Sequence, residues 1–445
     1  MSAQLVVVGF DEIVARKYLP CIASAISDGH LRSYSIIDLE SEREQIEARL
    51  REVPLAPRHV HYLPDPGPEH TVPEAWIRQA FARVTDSSGP IRTYIATEVK
   101  AHEPYLRYCV ENGIDSLVEK PVIAPLQGGR FAPMQITPIM TRLIDTAHQT
   151  GASHSVMTLS RYHRIYNDRL LAGIADRAST WGAPVTSLHL RCAGGVWNRH
   201  DEYKSREDHP YKYGYGMMLH GAYHYIDLAV QALQLNRVAQ AERRLQFQVN
   251  AFAVSPADQH LRIPVAAAAR IADHGMTGDS ATKYGETDVT AVFRLIDVDS
   301  GRTVTVGTLA FEQTTPSVRD WAQFPPGTYN KNGRTSAVDV EIGLSTLFSS
   351  HVHCYDIPTG DPDKIDAFAR ITTRANAALN PAEQYVTTEE HHGVFHSDSN
   401  RALMSEWLQG TETRSQLADH LLPMQVTEAI LTAAATGTTA AVDNF

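Results

Sequence analysis

The stretch "LVVVGFDEIVARKYLP", Leu5 to Pro20, restricts the fold more than any other feature of this chain. A buried-strand run, Leu5 to Val8, meets Gly9, and a helical pattern follows. A strand that ends on glycine and turns straight into a helix opens a dinucleotide-type βα unit. The loop departs from a three-glycine pattern twice: Asp11 stands where the second glycine is usual, and Val14 where the third glycine or alanine is. Four further strand runs follow, each separated by a helical one: "SYSIIDL" (Ser33–Leu39), "HVHYL" (His59–Leu63), "IRTYIAT" (Ile91–Thr97) and "DSLVEKP" (Asp115–Pro121). Strands spaced by helices of this length build a parallel sheet. Residues 1–160 are therefore expected to form a doubly wound α/β domain, with its ligand beyond the carboxyl ends of the strands.

After residue 160 the period changes. "VTSLHLRC", "RLQFQVNAFAV", "DVTAVFRLIDV" and "RTVTVGTLAF" alternate apolar and polar residues, as antiparallel strands with one wet face do. "DVDSG", Asp297 to Gly301, reads as the turn between the last two. Helical patterns follow Gly214 and lie around Asn400–Gln409 and His420–Ala435, with Gly410 and Gly437 as stop signals. Ser255–Thr287 and Phe324–Gly333 read as long loops. The expectation is an α+β domain over 161–445 on a mostly antiparallel sheet, its C-terminal helices packing back.

Bulk properties narrow the function classes. A length of 445 residues suits two domains, and 43% hydrophobic residues can bury real cores. A formal charge of −11 argues against nucleic acid as a partner. No apolar run of about 18 residues suggests a membrane span, and the first residues lack a secretory pattern. Cys21, Cys109, Cys192 and Cys354 are widely spaced, which fits a reducing cytoplasm better than disulfides or a thiolate zinc site.

Three groups of residues carry candidate chemistry. Asp38, at the end of the second strand, is placed to accept hydrogen bonds from an adenosine ribose and to repel a 2′-phosphate. In "VEKP", Glu119 and Lys120 stand at a strand's carboxyl end, where an ammonium can hold a substrate oxygen. In "GYGMMLHGAYHYIDL", a helix would bring His220, Tyr223, His224 and Asp227 to one face. Such a histidine pair can bind zinc, relay protons or simply pack.

Taken together, Gly9 to Pro20, Asp38, "YIATEVKAH", "VEKP" and "GMMLHGAYHYID" resemble, in this order, the Gfo/Idh/MocA oxidoreductases, which include glucose–fructose oxidoreductase-like and inositol dehydrogenase-like enzymes. The resemblance covers most of residues 1–125 and 155–228. It implies a Rossmann domain followed by an α+β domain whose sheet makes a homodimer or homotetramer. It also implies NAD-dependent oxidation or reduction, NADP being less favoured, of a ring hydroxyl or ketone on a sugar or cyclitol. On this reading Lys120 polarises the oxygen, His224 is the acid/base, and His220 replaces an aspartate beside it. Gly9, Phe10, Asp11, Glu12, Ile13, Asp38, Thr97, His102, Glu119 and Lys120 would meet the cofactor. Arg161, Tyr162, Trp197, Tyr223 and Asp227 would meet the substrate, and no metal is expected. An epimerase or glycosidase working through transient redox on tightly bound NAD, or a silent binding protein, would use the same frame.

Overall fold

The computed structural model describes residues 2–67, 71–86, 89–194, 198, 200–207, 209–262, 283–315, 336–358 and 365–445. The chain forms two compact units, Met1–Tyr162 with Ser397–Met424, and His163–His396 with Gln425–Phe445. Residues 397–424 thus belong to the first unit, and the expected division at 160/161 is crossed a second time. Among the described residues no helix is long and apolar enough to cross a membrane.

The first unit is built on six strands: β1 (Ala3–Val8), β2 (Leu31–Leu39), β3 (Val60–Leu63), β4 (Ile91–Ile95), β5 (Asp115–Glu119) and β8 (His154–Met157). They form a parallel sheet in the order β3-β2-β1-β4-β5-β8. A two-stranded hairpin, β6 (Leu126–Gln127) and β7 (Arg130–Phe131), interrupts the run before β8. Leu5 to Val8 are wholly buried because helices cover both faces, which is why this strand reads as a continuous apolar run. The strand order reverses around β1, which lies between β2 and β4, so the crevice at its carboxyl end is the fold's binding position. Leu403, Met404, Trp407 and Leu408 from the helix His396–Leu408 join Val7, Tyr34 and Leu117 in one core. Beyond that helix the chain runs beside β8, with Val156 N–H donating to Ser415 O at 2.8 Å.

The second unit carries a nine-stranded sheet in the order β16-β15-β14-β13-β9-β12-β11-β10-β17. Its strands are β9 (Val185–Ala193), β10 (Leu245–Val254), β11 (Asp288–Asp297), β12 (Arg302–Glu312), β13 (Ser336–Leu344), β14 (Phe348–Pro358), β15 (Ile365–Ala375), β16 (Val386–His392) and β17 (Ala440–Val442). All neighbours are antiparallel except β9 and β12. Leu245, Phe247, Val249 and Ala251 point into the core, as their alternation predicts. The opposite face is polar, with Arg191 paired to Glu312 at 2.6 Å and His353 to Asp339 at 2.7 Å. Gly410 and Gly437 close their helices in the left-handed conformation. Residues 263–282 of the expected Ser255–Thr287 loop, and all of Phe324–Gly333, lie outside the described residues.

Candidate active site

Gly9 is required where it stands. Its φ is +86°, and a Cβ there would lie 2.8 Å from Ala96 O and 2.9 Å from Thr97 N. The end of β1 is therefore pressed against the end of β4, while Gly9 N–H donates to Ile37 O of β2 at 2.9 Å. Asp11 folds back onto its own helix, where Oδ1 accepts from Val14 N–H at 2.8 Å. That is the contact of an N-cap residue with its N3 position. Val14 is buried in the core, and the backbone from Val14 to Tyr18 widens into a π turn before helix α1 (Leu19–Ser27). A bulky side chain here displaces the close helix–strand packing that glycine permits.

Asp38 supports this loop from β2. Its Oδ2 accepts from Phe10 N–H at 2.7 Å and its Oδ1 from Leu39 N–H at 2.8 Å. Burial pushes its carboxyl up to about 6, against the pull of those two hydrogen bonds. The N–H groups of Phe10 and Val14 are thus engaged within the protein, which confines any phosphate contact of this loop to the backbone of Asp11, Glu12 and Ile13. On the other side of β1, Thr97 Oγ1 is buried with no hydrogen-bond partner among the described residues. Glu119 Oε1 accepts from the buried Tyr94 hydroxyl at 2.8 Å. Lys120 follows, half-buried, and its bond to Pro121 is cis.

His102, expected against the cofactor, makes its described contacts with the backbone. Nδ1 lies 2.8 Å from Pro121 O and Nε2 lies 3.0 Å from Thr97 O. The ring ties the loop after β4 to the loop after β5, immediately beside Lys120. Burial lowers its pKa and the two carbonyls work against that shift, and a neutral ring can donate to only one of them.

In the second unit the helix starts at Tyr223 and runs to Gln234. His220 therefore lies on the preceding turn rather than on the helix face with His224, a correction to the sequence expectation. The cause is an unforeseen acid, Glu286. Met217 N–H donates to its carbonyl at 2.8 Å and Met218 N–H to its Oε1 at 2.9 Å. Gly216 and Gly285 permit this approach: a Cβ on Gly216 would sit 2.0 Å from Glu286 O. Burial pushes the Glu286 carboxyl up to about 7. His220 is boxed edge-on by His209, Tyr211 and Tyr215, with ring centroids 4.9 to 5.7 Å away. Tyr223, His224 and Asp227 are buried on the helix, and Asp227 Oδ2 accepts from Gln231 at 3.0 Å.

Arg161 and Tyr162, expected at the substrate, make contacts within the first unit. Arg161 donates to Asp419 O at 3.2 Å and approaches the Asp419 carboxylate at 3.5 Å. The Tyr162 hydroxyl accepts from Arg414 N–H at 3.0 Å, beneath the Arg414 guanidinium. Both therefore anchor the returning segment of the first unit. Trp197 lies outside the described residues.

The parallel sheet with its glycine loop and the antiparallel sheet together match the two-domain fold of several solved oxidoreductases. The chain is similar to the aldose-aldose oxidoreductase of Caulobacter crescentus, crystallised with glycerol, at 14% identity and a TM-score of 0.57, over 99% of this chain and 100% of that one. It is similar to the WlbA dehydrogenase of Bordetella pertussis in complex with NADH and UDP-GlcNAcA, at 11% identity and a TM-score of 0.56, over 99% of each chain. Levoglucosan dehydrogenase in complex with NADH and levoglucosan matches at 14% identity and a TM-score of 0.56, over the whole of both chains. Neither a protein-family model nor a curated protein matches the sequence.

Proposed function

We propose that this protein is an NAD-dependent oxidoreductase acting on a ring hydroxyl or ketone of a sugar or cyclitol. The observation that carries the reading is the strand-end cradle around Gly9, where β1, β2 and β4 meet. A Cβ would fill it, Asp11 is turned into its own helix, and Asp38 stands at the end of β2. These residues fit a dinucleotide. Gly9 lets the backbone come close, and the helix start offers N–H groups and a positive dipole end to phosphates. Each Asp38 oxygen already accepts one N–H and retains a lone pair for a ribose hydroxyl, while its charge disfavours a 2′-phosphate. Thr97 Oγ1 supplies a further polar atom awaiting a partner.

A nicotinamide dinucleotide, when bound, supplies the hydride acceptor or donor. Lys120 polarises the substrate oxygen, held on the short β5 end that Glu119 and His102 brace. His224 takes the hydroxyl proton in oxidation and returns it in reduction. The self-association expected through the nine-stranded sheet would use its open polar face, which carries Arg191 and Asp339. The test is a panel of aldoses, cyclitols, levoglucosan and a UDP-sugar, assayed by NADH formation. A substrate of these classes should be turned over. Lys120→Ala and His224→Ala should each lower turnover about 10²–10⁴-fold with cofactor binding retained. Turnover unchanged in both variants refutes the assigned roles.

A further inference from the structure

Away from the strand-end site, three soft or borderline donors meet in the interior of the second unit. His163 is its first residue, Cys354 lies on β14, and His396 is the last residue before the chain returns to the first unit. All three are buried, and their donor atoms lie within 4.8 Å of one another. Cys354 Sγ is 3.9 Å from His396 Nε2. A tetrahedral ion with ordinary zinc–sulfur and zinc–nitrogen bonds places such a pair about 3.6 Å apart.

The surroundings choose the ligand atoms. Asp356 Oδ2 lies 2.9 Å from His396 Nδ1, so that nitrogen carries the proton and donates it to the carboxylate. The same oxygen accepts from His396 N–H at 3.1 Å, which fixes the ring. Nε2 faces Cys354 and the Tyr166 hydroxyl, the latter 3.3 Å away. A carboxylate that orients a histidine from behind is the usual outer partner of a metal-bound imidazole. Cys354 and Asp356 are two residues apart on one strand, so both face the cluster. His163 stacks on Tyr166 with ring centroids 4.1 Å apart. Both of its ring nitrogens are buried without a hydrogen-bond partner among the described residues. A histidine that merely packs would be expected to satisfy at least one nitrogen.

We propose that His163, Cys354 and His396 bind a zinc ion, with Asp356 holding His396 in its ligating tautomer. On binding, the Cys354 thiol gives up its proton to solvent and the thiolate becomes the ligand. The fourth position falls to water or to the Tyr166 hydroxyl. The ion is structural, since it is buried and joins three segments far apart in sequence. Those segments are the lead into the π turn Ile165–Leu171, the strand β14, and the start of the helix His396–Leu408. Tyr166 also touches Tyr225 edge-on, with centroids 6.4 Å apart, so the ion would brace the helix that carries His224.

The test is elemental analysis of the full-length protein, followed by replacement of its metal with Co²⁺. The expected result is stoichiometric zinc, a thiolate-to-cobalt charge-transfer band that Cys354→Ser abolishes, and a lower melting temperature in chelator. Asp356→Asn, which keeps the fold's shape, should weaken zinc retention about 10–100-fold, and His224→Ala should retain the metal. A protein that takes up neither zinc nor cobalt, or a cobalt–thiolate band that survives in Cys354→Ser, overturns the proposal.

Discussion

Replacing Asp11 separates two roles that one side chain combines. Its carboxylate caps the first turn through Val14 N–H at 2.8 Å, and it brings negative charge to the helix end where a dinucleotide's phosphates are expected. Asn caps as well as Asp, whereas Ala costs about 1 kcal/mol of stability. Asp11→Asn should therefore leave urea unfolding within a few tenths of a kcal/mol, and Asp11→Ala should lose about 1 kcal/mol. The charge acts on affinity instead. For a phosphate about 7 Å away and an effective dielectric near 20, one unit charge opposes binding by about 2.4 kcal/mol. Asp11 is exposed, so solvent and salt reduce this to about 1 kcal/mol. Calorimetric titration with NAD⁺ should then show both variants binding about fivefold tighter than wild type. Equal or weaker binding by Asp11→Asn would refute the claim that this carboxylate sits beside the phosphates.

Gly9→Ala meets both a left-handed φ and backbone atoms 2.8 Å from the new Cβ, so it should destabilise the chain by about 2–5 kcal/mol. An unchanged urea midpoint contradicts the close approach. Arg161→Ala should cost stability, about 1.5–3 kcal/mol for its charged hydrogen bonds, and leave KM for the sugar unchanged; a raised KM at full stability would restore its expected substrate role. Glu286 has its carboxyl pushed from 4.5 to about 7. Between those values the folded state keeps a proton that the unfolded state releases, so stability falls as pH rises through the window and is level above it. The fall is at most about 3 kcal/mol, and Glu286→Gln should flatten that part of the pH–stability curve measured by denaturant unfolding.

The parallel sheet was legible because Leu5–Val8, Ile36–Ile37 and Tyr94–Ile95 form short apolar runs between helical patterns, as strands buried on both faces must. The four strands β13 to β16 were not anticipated. "FSSHVHCYDIP" places Ser350 and Cys354 among its core positions, with His351 and His353 on the other face, and "VTTEEHH" is a polar edge strand with little periodic signal. Local pattern also misplaced His220, because the contact of Gly216 with Glu286, which ends the turn region, spans some seventy residues. The contacts of Arg161 with Asp419 and of Tyr162 with Arg414 were not legible for the same reason: about 250 residues separate the partners in sequence. The wide spacing of the cysteines argued against a thiolate metal site, yet strand register brings Cys354 beside His163 and His396. The direction of the Asp11 side chain has no sequence signature at all.

Whether the loop around Gly9 binds NAD in preference to NADP is read by calorimetric titration of the cofactor-stripped wild-type protein with each dinucleotide. Saturable binding of NAD⁺ is expected, with NADP⁺ binding weaker, if Asp38 accepts the ribose hydroxyls and repels a 2′-phosphate as proposed. Absence of heat and of displacement with both dinucleotides, in protein shown to be folded, would contradict that expectation.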